Sequence, residues 1–389
     1  MIFKRQVFLI LSLAVSVFCF SQTPVPYKWG EKYGYIDPSS AKVLINPVYD
    51  KVYPFSEDRA LVYKSGKGYF IDPAGIIKIV LKYDSALSFT EDFSAVKSGA
   101  GWGYIDKLGT LKIPVKFEQA FPFSEGIAVI KKSGKFGYVD KSGKEIIVPQ
   151  FDFALEFSNG LAAIKKNGKF GYIDISGKVV IPAVYDKAAN FSNGAAVVSQ
   201  NGKYGIIDKT GQILLPIEQD WVSVFNEELV RVKKGDLWGF ANNSGVMLVP
   251  LMYDWAADFH SGFTKVKKNN KYGYINKSGT VVIPLEYQWL EDMDGDGDVM
   301  AVKSGNWGCI NNKNEIISPF KYKVIRPFSE DLAVVTLGGK YGYLDKKCKL
   351  AIPFLYDYVY DLVNGWAEVV KSDQTLYIDK HGICVKNCE

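Results

Sequence analysis

The densest run of side chains able to do chemistry is Glu291-Asp292-Met293-Asp294-Gly295-Asp296-Gly297-Asp298. Asp292, Asp294 and Asp296 alternate, and Gly297 follows. This matches the first half of an EF-hand-type loop, where alternate oxygens wrap Ca2+ and glycine permits the sharp bend. The second half does not fit, because the twelfth position is Lys303 and not glutamate. The expectation is a shorter Ca2+ loop with Asp292, Asp294, Asp296 and Asp298 as ligands, set against a plain solvated acidic loop. No other cofactor is expected.

Of the five cysteines, Cys309, Cys348, Cys384 and Cys388 lie in the last quarter of the chain. In an exported protein they are disulfide candidates, with the pairing left open. A metal site using all four lacks paired C-x2-C spacing. The two histidines, His260 and His381, sit in a loop and a turn, and neither lies in a motif that suggests a base–nucleophile pair. There is no G-x-S-x-G, no H-E-x-x-H and no phosphate-cradling glycine loop, so the expectation is a protein that is not an enzyme. The pairs Lys131-Lys132, Lys165-Lys166, Lys233-Lys234 and Lys267-Lys268 end strands beside aromatics. They suit a solvated strand edge better than an anionic polymer. Lys and Arg are spread along the chain, which gives no nucleic-acid footprint despite the formal charge of +5.

The elements that must position these groups come from one repeated unit. An aromatic–glycine pair recurs at Tyr33-Gly34, Trp102-Gly103, Phe136-Gly137, Phe170-Gly171, Tyr204-Gly205, Trp238-Gly239, Tyr272-Gly273, Trp307-Gly308 and Tyr341-Gly342. The step from Gly103 to Gly273 is 34 residues each time, and it is 35 from Gly273 to Gly308, across the acidic loop. Inside the unit the pattern is strand. Residues 161–166 read as a first strand, Asn167-Gly168 as a tight turn, and Lys169–Asp174 as a second strand. Residues 178–181 read as a β-branched third strand, stopped by Pro182, which cannot donate to a ladder. Residues 184–194 cross back, with room for at most a short turn of helix at 186–190. In the motif Phe170-Gly171-Tyr172, two aromatics share one face and glycine leaves the other bare for close approach. The Asp that ends the second strand, such as Asp174, becomes Asn242, Asn276 and Asn311 in three units. That slot therefore needs a turn acceptor and not an ionised group.

The pattern Lys-aromatic-Gly-Tyr-Ile-Asp-Lys-x-Gly followed by Pro resembles the bacterial WG (KWG) repeat family, and Trp102-Gly103, Trp238-Gly239 and Trp307-Gly308 carry the literal dipeptide. The resemblance implies a β-rich repeat scaffold and brings no defined reaction or ligand. The expected fold is all-β: tandem repeats of about 34 residues, each a three-stranded antiparallel meander, in an open or superhelical array, with a closed propeller-like ring as the alternative. Residues 1–21 read as a signal peptide, with Lys4 and Arg5 before an apolar run at 7–20 and small residues at the cleavage site. Residues 22–389 then form the array, about ten repeats and a partial one, with no later stretch of membrane-spanning length. The expected product is exported: periplasmic, cell-surface or secreted. The expected role is a non-catalytic scaffold binding a protein or glycan through its repeat surface. A carbohydrate-binding envelope module using Trp221, Trp255, Trp289 and Trp366 as stacking platforms is one alternative, and a propeller-type enzyme is another.

Overall fold

The computed structural model describes residues 23–40, 42–293, 295, 297–363 and 365–388. The expected signal peptide, with Cys19, lies outside them. The chain divides into two compact units, residues 1–167 with 173–178, and residues 168–172 with 179–389. Both are built from antiparallel sheets of one design. Among the described residues there are eleven sheets, nine with four strands and two with three. No helix there is long and apolar enough to cross a membrane.

The sheet of residues 255–287 shows how the sequence makes this unit. Trp255–Ala256 is a short first strand, followed by Phe263–Lys268, Lys271–Asn276 and Val281–Tyr287, hydrogen-bonded in chain order. The short strand is the first departure from the three-stranded expectation. In the sheet of residues 187–219 it falls on Lys187–Ala188, where a turn of helix had room, and Lys187 pairs with Ser199. The crossing segment finds backbone partners in the next hairpin, which a single helical turn would leave unmet. Four antiparallel strands in sequence order is the make-up of a propeller blade.

The second departure is at proline. Pro182, expected to stop the third strand, lies inside the strand Val179–Tyr185, and its counterpart Pro284 lies inside Val281–Tyr287 in the same way. Tyr272 pairs with Tyr287 and Tyr274 with Ile283, so the outer strand spends two extra residues there. Proline's missing N–H is harmless inside such a bulge, and the bulge blunts an exposed edge. The bulge also explains the motif glycine. A Cβ on Gly273 would lie 2.6 Å from the Ile283 carbonyl oxygen, and one on Gly137 would lie 2.5 Å from that of Ile147.

The sheet of residues 255–287 buries both faces. In the second unit, Ala256, Val266 and Ile275 pack on Phe240 and Val249 of the preceding sheet. On the other face Tyr274, Ile283 and Tyr287 pack on Leu290, Val299 and Ala301 of the following one. The turn slot works as expected. Asp140 Oδ1 accepts the backbone N–H groups of Ser142 at 2.9 Å and Lys144 at 3.0 Å. Asn276 Oδ1 accepts the same pair of bonds from Ser278 and Thr280, at 3.1 and 3.0 Å. A second carboxylate ties neighbouring sheets. Asp220 accepts Lys203 Nζ at 2.5 Å and the N–H of Gly235 at 2.6 Å, which holds its carboxyl below the usual range, the lysine first.

Candidate functional site

Neighbouring sheets meet through a recurring plug. In the first unit the buried Tyr138 hydroxyl donates to the Leu155 carbonyl at 2.8 Å. Phe157, two residues further on, packs edge-on against the Tyr138 ring at 4.9 Å. The Ser124 hydroxyl donates to the Phe157 carbonyl at 2.9 Å. In the second unit Tyr172, Ala189 and Phe191 repeat the hydroxyl bond at 2.7 Å and the ring contact at 4.8 Å. In several sheets the residue paired with this aromatic on the inner strand is small or apolar, as Ala95 opposite Tyr104 and Val129 opposite Tyr138, while Arg231 opposite Phe240 and Glu368 opposite Tyr377 are charged.

Two of these positions change together around the acidic loop. Lys265 stands opposite Tyr274, and Met293 stands where Phe259 stands one repeat earlier. Lys265 is only 8% exposed. Its Nζ donates to the Leu290 carbonyl at 3.0 Å and to Asp292 Oδ1 at 2.8 Å, and lies 5.4 Å from the centre of the Trp289 ring. The Tyr274 hydroxyl donates to the Glu291 carbonyl at 2.9 Å and accepts the Met293 N–H at 3.1 Å. Burial, then the Asp292 carboxylate, pushes this phenol above its ordinary pKa. With a slim, flexible methionine in place of the aromatic plug, a cavity of about 570 Å³ opens beside Lys265, walled also by His260, Phe263 and Asn312. That is the size of a small-molecule site.

Beside it, on the same strands, runs an aromatic track that shares Trp289 with the surroundings of Lys265. Trp255 contacts Tyr272 at 6.3 Å, and Tyr272 contacts Trp289 at 5.2 Å. Trp255 and Trp289 are 38% and 41% exposed. Lys267 lies 5.4 Å over the Tyr272 ring. One sheet earlier Trp221 and Trp238 meet at 5.5 Å, with the Arg231 guanidinium over both rings.

A family model described as "WG containing repeat" matches ten consecutive segments between residues 33 and 374. The chain belongs to the WG-repeat family. No curated protein matches it. Among solved structures, one similar chain is described as a eukaryotic initiation factor. It is 13% identical, with 76% of this chain and 95% of that one covered, at a TM-score of 0.35. Another is PorZ, a bacterial surface component of the type-IX secretion system of Porphyromonas gingivalis. It is 10% identical, with 91% and 72% covered, at a TM-score of 0.28. At such scores neither carries an argument about this chain.

The WG repeats place the sequence-predicted residues unevenly. Asp294 and Asp296 of the expected Ca2+ loop lie outside the described residues. Asp292 is engaged by Lys265, and Asp298 opens the strand Asp298–Lys303. Cys309 pairs with Cys348, buried across adjacent repeats, and Cys384 pairs with Cys388. Of the four tryptophans outside the Gly dipeptide, Trp255 and Trp289 share the Tyr272 track, Trp221 joins Trp238, and Trp366 packs on Tyr377 in the last sheet. His381 sits in the turn it was assigned to, its N–H on Asp379 at 2.9 Å. His260 does more than occupy a turn, since it walls the cavity. Lys265, Tyr274 and Met293 were missed. The available signal was a lysine in an apolar slot and a methionine in an aromatic one.

Proposed function

We propose that this WG-repeat chain is an exported, non-catalytic binding scaffold whose partner is a glycan held along the track of Trp255, Tyr272 and Trp289. The carrying observation is that two exposed indoles flank one phenol ring in continuous contact, with Lys267 beside them. Aromatic faces offer sugar rings a flat apolar partner, and the neighbouring amine can bond their hydroxyls. The recurring carboxylates support a non-catalytic reading, because Asp140 and Asp220 are spent on turns and on joins between sheets. Disulfides persist in oxidising compartments, so the two pairs support export.

The test is retention of the protein on cellohexaose, chitohexaose, xylohexaose and mannohexaose, followed by titration. One of these is expected to bind. Trp255→Ala and Trp289→Ala should each weaken it about thirtyfold, near 2 kcal/mol for loss of a central aromatic anchor. Absence of binding to all four overturns the reading.

A further inference from the structure

We propose that the cavity beside Lys265 is a subsite for a single uncharged sugar residue, one that the aromatic track delivers. The proposal rests on the glycan reading for its ligand class and adds a second, chemically different place of recognition.

The cavity is made by coordinated departures from the repeat. Where the neighbouring sheets meet elsewhere, Phe157 or Phe191 fills the space against Tyr138 or Tyr172. Here Met293 leaves it open, and the one-residue insertion falls in the same loop. The inner-strand slot, Ala95 and Val129 elsewhere, holds Lys265. A buried lysine is costly unless paired, so a chain that needed only packing here would keep valine. One sheet earlier the same slot holds Arg231, but there Phe259 still plugs the space, packed on Phe240 at 4.8 Å. Arg231 is consumed by the Ala256 carbonyl at 2.9 Å and Asp258 at 3.1 Å. Only the second change, at Met293, opens room for a ligand.

The polar groups select the ligand class. The Lys265 ammonium has three N–H donors and spends two on Leu290 and Asp292. Asp292 accepts through Oδ1, which leaves Oδ2 as an acceptor beside that ammonium. Among the described residues the His260 imidazole has no hydrogen-bond partner, and it can both donate and accept. Phe263 and Met293 supply an apolar wall. Adjacent hydroxyls on a ring meet such a set, one accepting from the amine and one donating to the carboxylate, with the C–H face on the wall. An anion would meet Asp292 and Asp258, and a cation would meet Lys265. Among the described lining residues both signs of charge are present, which disfavours both.

Saturation-transfer NMR on the full chain, with D-glucose, D-galactose, D-mannose and N-acetylglucosamine as probes, tests this. Inorganic phosphate and Ca2+, each followed by its effect on the Trp fluorescence, are the charged controls. At least one sugar should give transfer to the wild type. The signal should fall about tenfold or more in Lys265→Val and in Met293→Phe. Both variants install residues that other repeats carry at those slots, so they should fold, with circular dichroism as the check. Trp255→Ala should keep the monosaccharide signal while losing the hexasaccharide. If no monosaccharide transfers while a hexasaccharide binds through Trp255, the subsite falls and the track stands. If neither binds, both fall. Transfer that survives both pocket variants, or binding of phosphate or Ca2+ in place of the sugars, also overturns the subsite.

Discussion

At Phe157 and at Met293 the chain reaches the same point of its repeat, with opposite results. Around Phe157 every group serves the join between sheets. The ring covers Tyr138, its carbonyl takes the Ser124 hydroxyl, and Tyr138 donates to Leu155. Around Met293 the tyrosine bond is kept through Glu291, but the aromatic cover is gone and a buried amine faces the space. The repeat thus separates two kinds of position. Slots whose job is to join sheets recur, and slots that depart from the pattern in pairs are available for recognition. A single loss of the plug would leave an unfilled gap, and a lone charge in the inner slot must find its own partners, as Arg231 does in Asp258 and the Ala256 carbonyl.

The comparison is broken most severely at the glycines. A methyl on Gly137 would meet the Ile147 carbonyl oxygen at 2.5 Å and Pro149 N at 2.6 Å, both backbone atoms of the bulge. Gly137→Ala should cost about 3 kcal/mol or more, because the bulge must shift. Gly295, in the departing loop, has no atom outside its two chain neighbours within 4 Å of the place a methyl carbon would take. Gly295→Ala should stay within about 0.5 kcal/mol. Denaturant melts of the two variants measure this directly. Equal losses would mean that the acidic loop is as tightly built as the motif.

An exchange of the plug residues should be smaller in effect and opposite in sign at the two places. Phe157→Met removes an edge-on aromatic pair and leaves volume unfilled, at roughly 1–2 kcal/mol. Met293→Phe restores the pair over Tyr274 and should gain about 1 kcal/mol. Hydrogen-exchange mass spectrometry should show faster exchange in the peptides around Tyr138 for the first and slower exchange around Tyr274 for the second. Destabilisation by Met293→Phe would show that methionine is there for packing and not for the opening.

The period, the strand character, the turn acceptor and the motif glycine were all legible, because each depends on residues adjacent in sequence and recurs many times. Asn276 standing in for Asp140 was enough to identify the acceptor role. Pro284 misled because a missing N–H predicts an end to pairing, whereas a bulge provides a position that needs no donor. Lys187-Ala188 was invisible as a strand because two residues carry no alternation. The joining of Cys309 to Cys348 depends on contacts between sheets, which spacing does not encode. The cavity was hidden for the same reason. Lys265 and Met293 belong to different repeats, and only slot-by-slot comparison brings them together.

The smallest effect concerns charge at the recurring turn. Asp140 is held below its usual pKa, first by the Ser142 hydroxyl and then, against some burial, by the N–H groups of Lys144 and Ser142. A depressed carboxyl stabilises the fold above its unfolded pKa of about 3.9, and that contribution is lost as pH falls through the lower folded value. Asn276 makes the same two backbone bonds with no titration. Asp140→Asn should therefore lower the melting temperature modestly at pH 7, since the turn bonds survive but the contribution of the ionised acceptor is lost. Below about pH 4 the wild type loses its ionised acceptor while the variant keeps a neutral one, so the gap between their melting temperatures should close or reverse. The turn at Asn276 needs no such protection, and Asn276→Asp should introduce acid sensitivity where none existed. Identical pH profiles for Asp140→Asn and wild type would mean that the carboxylate's charge adds nothing at this turn and that only its acceptor geometry counts.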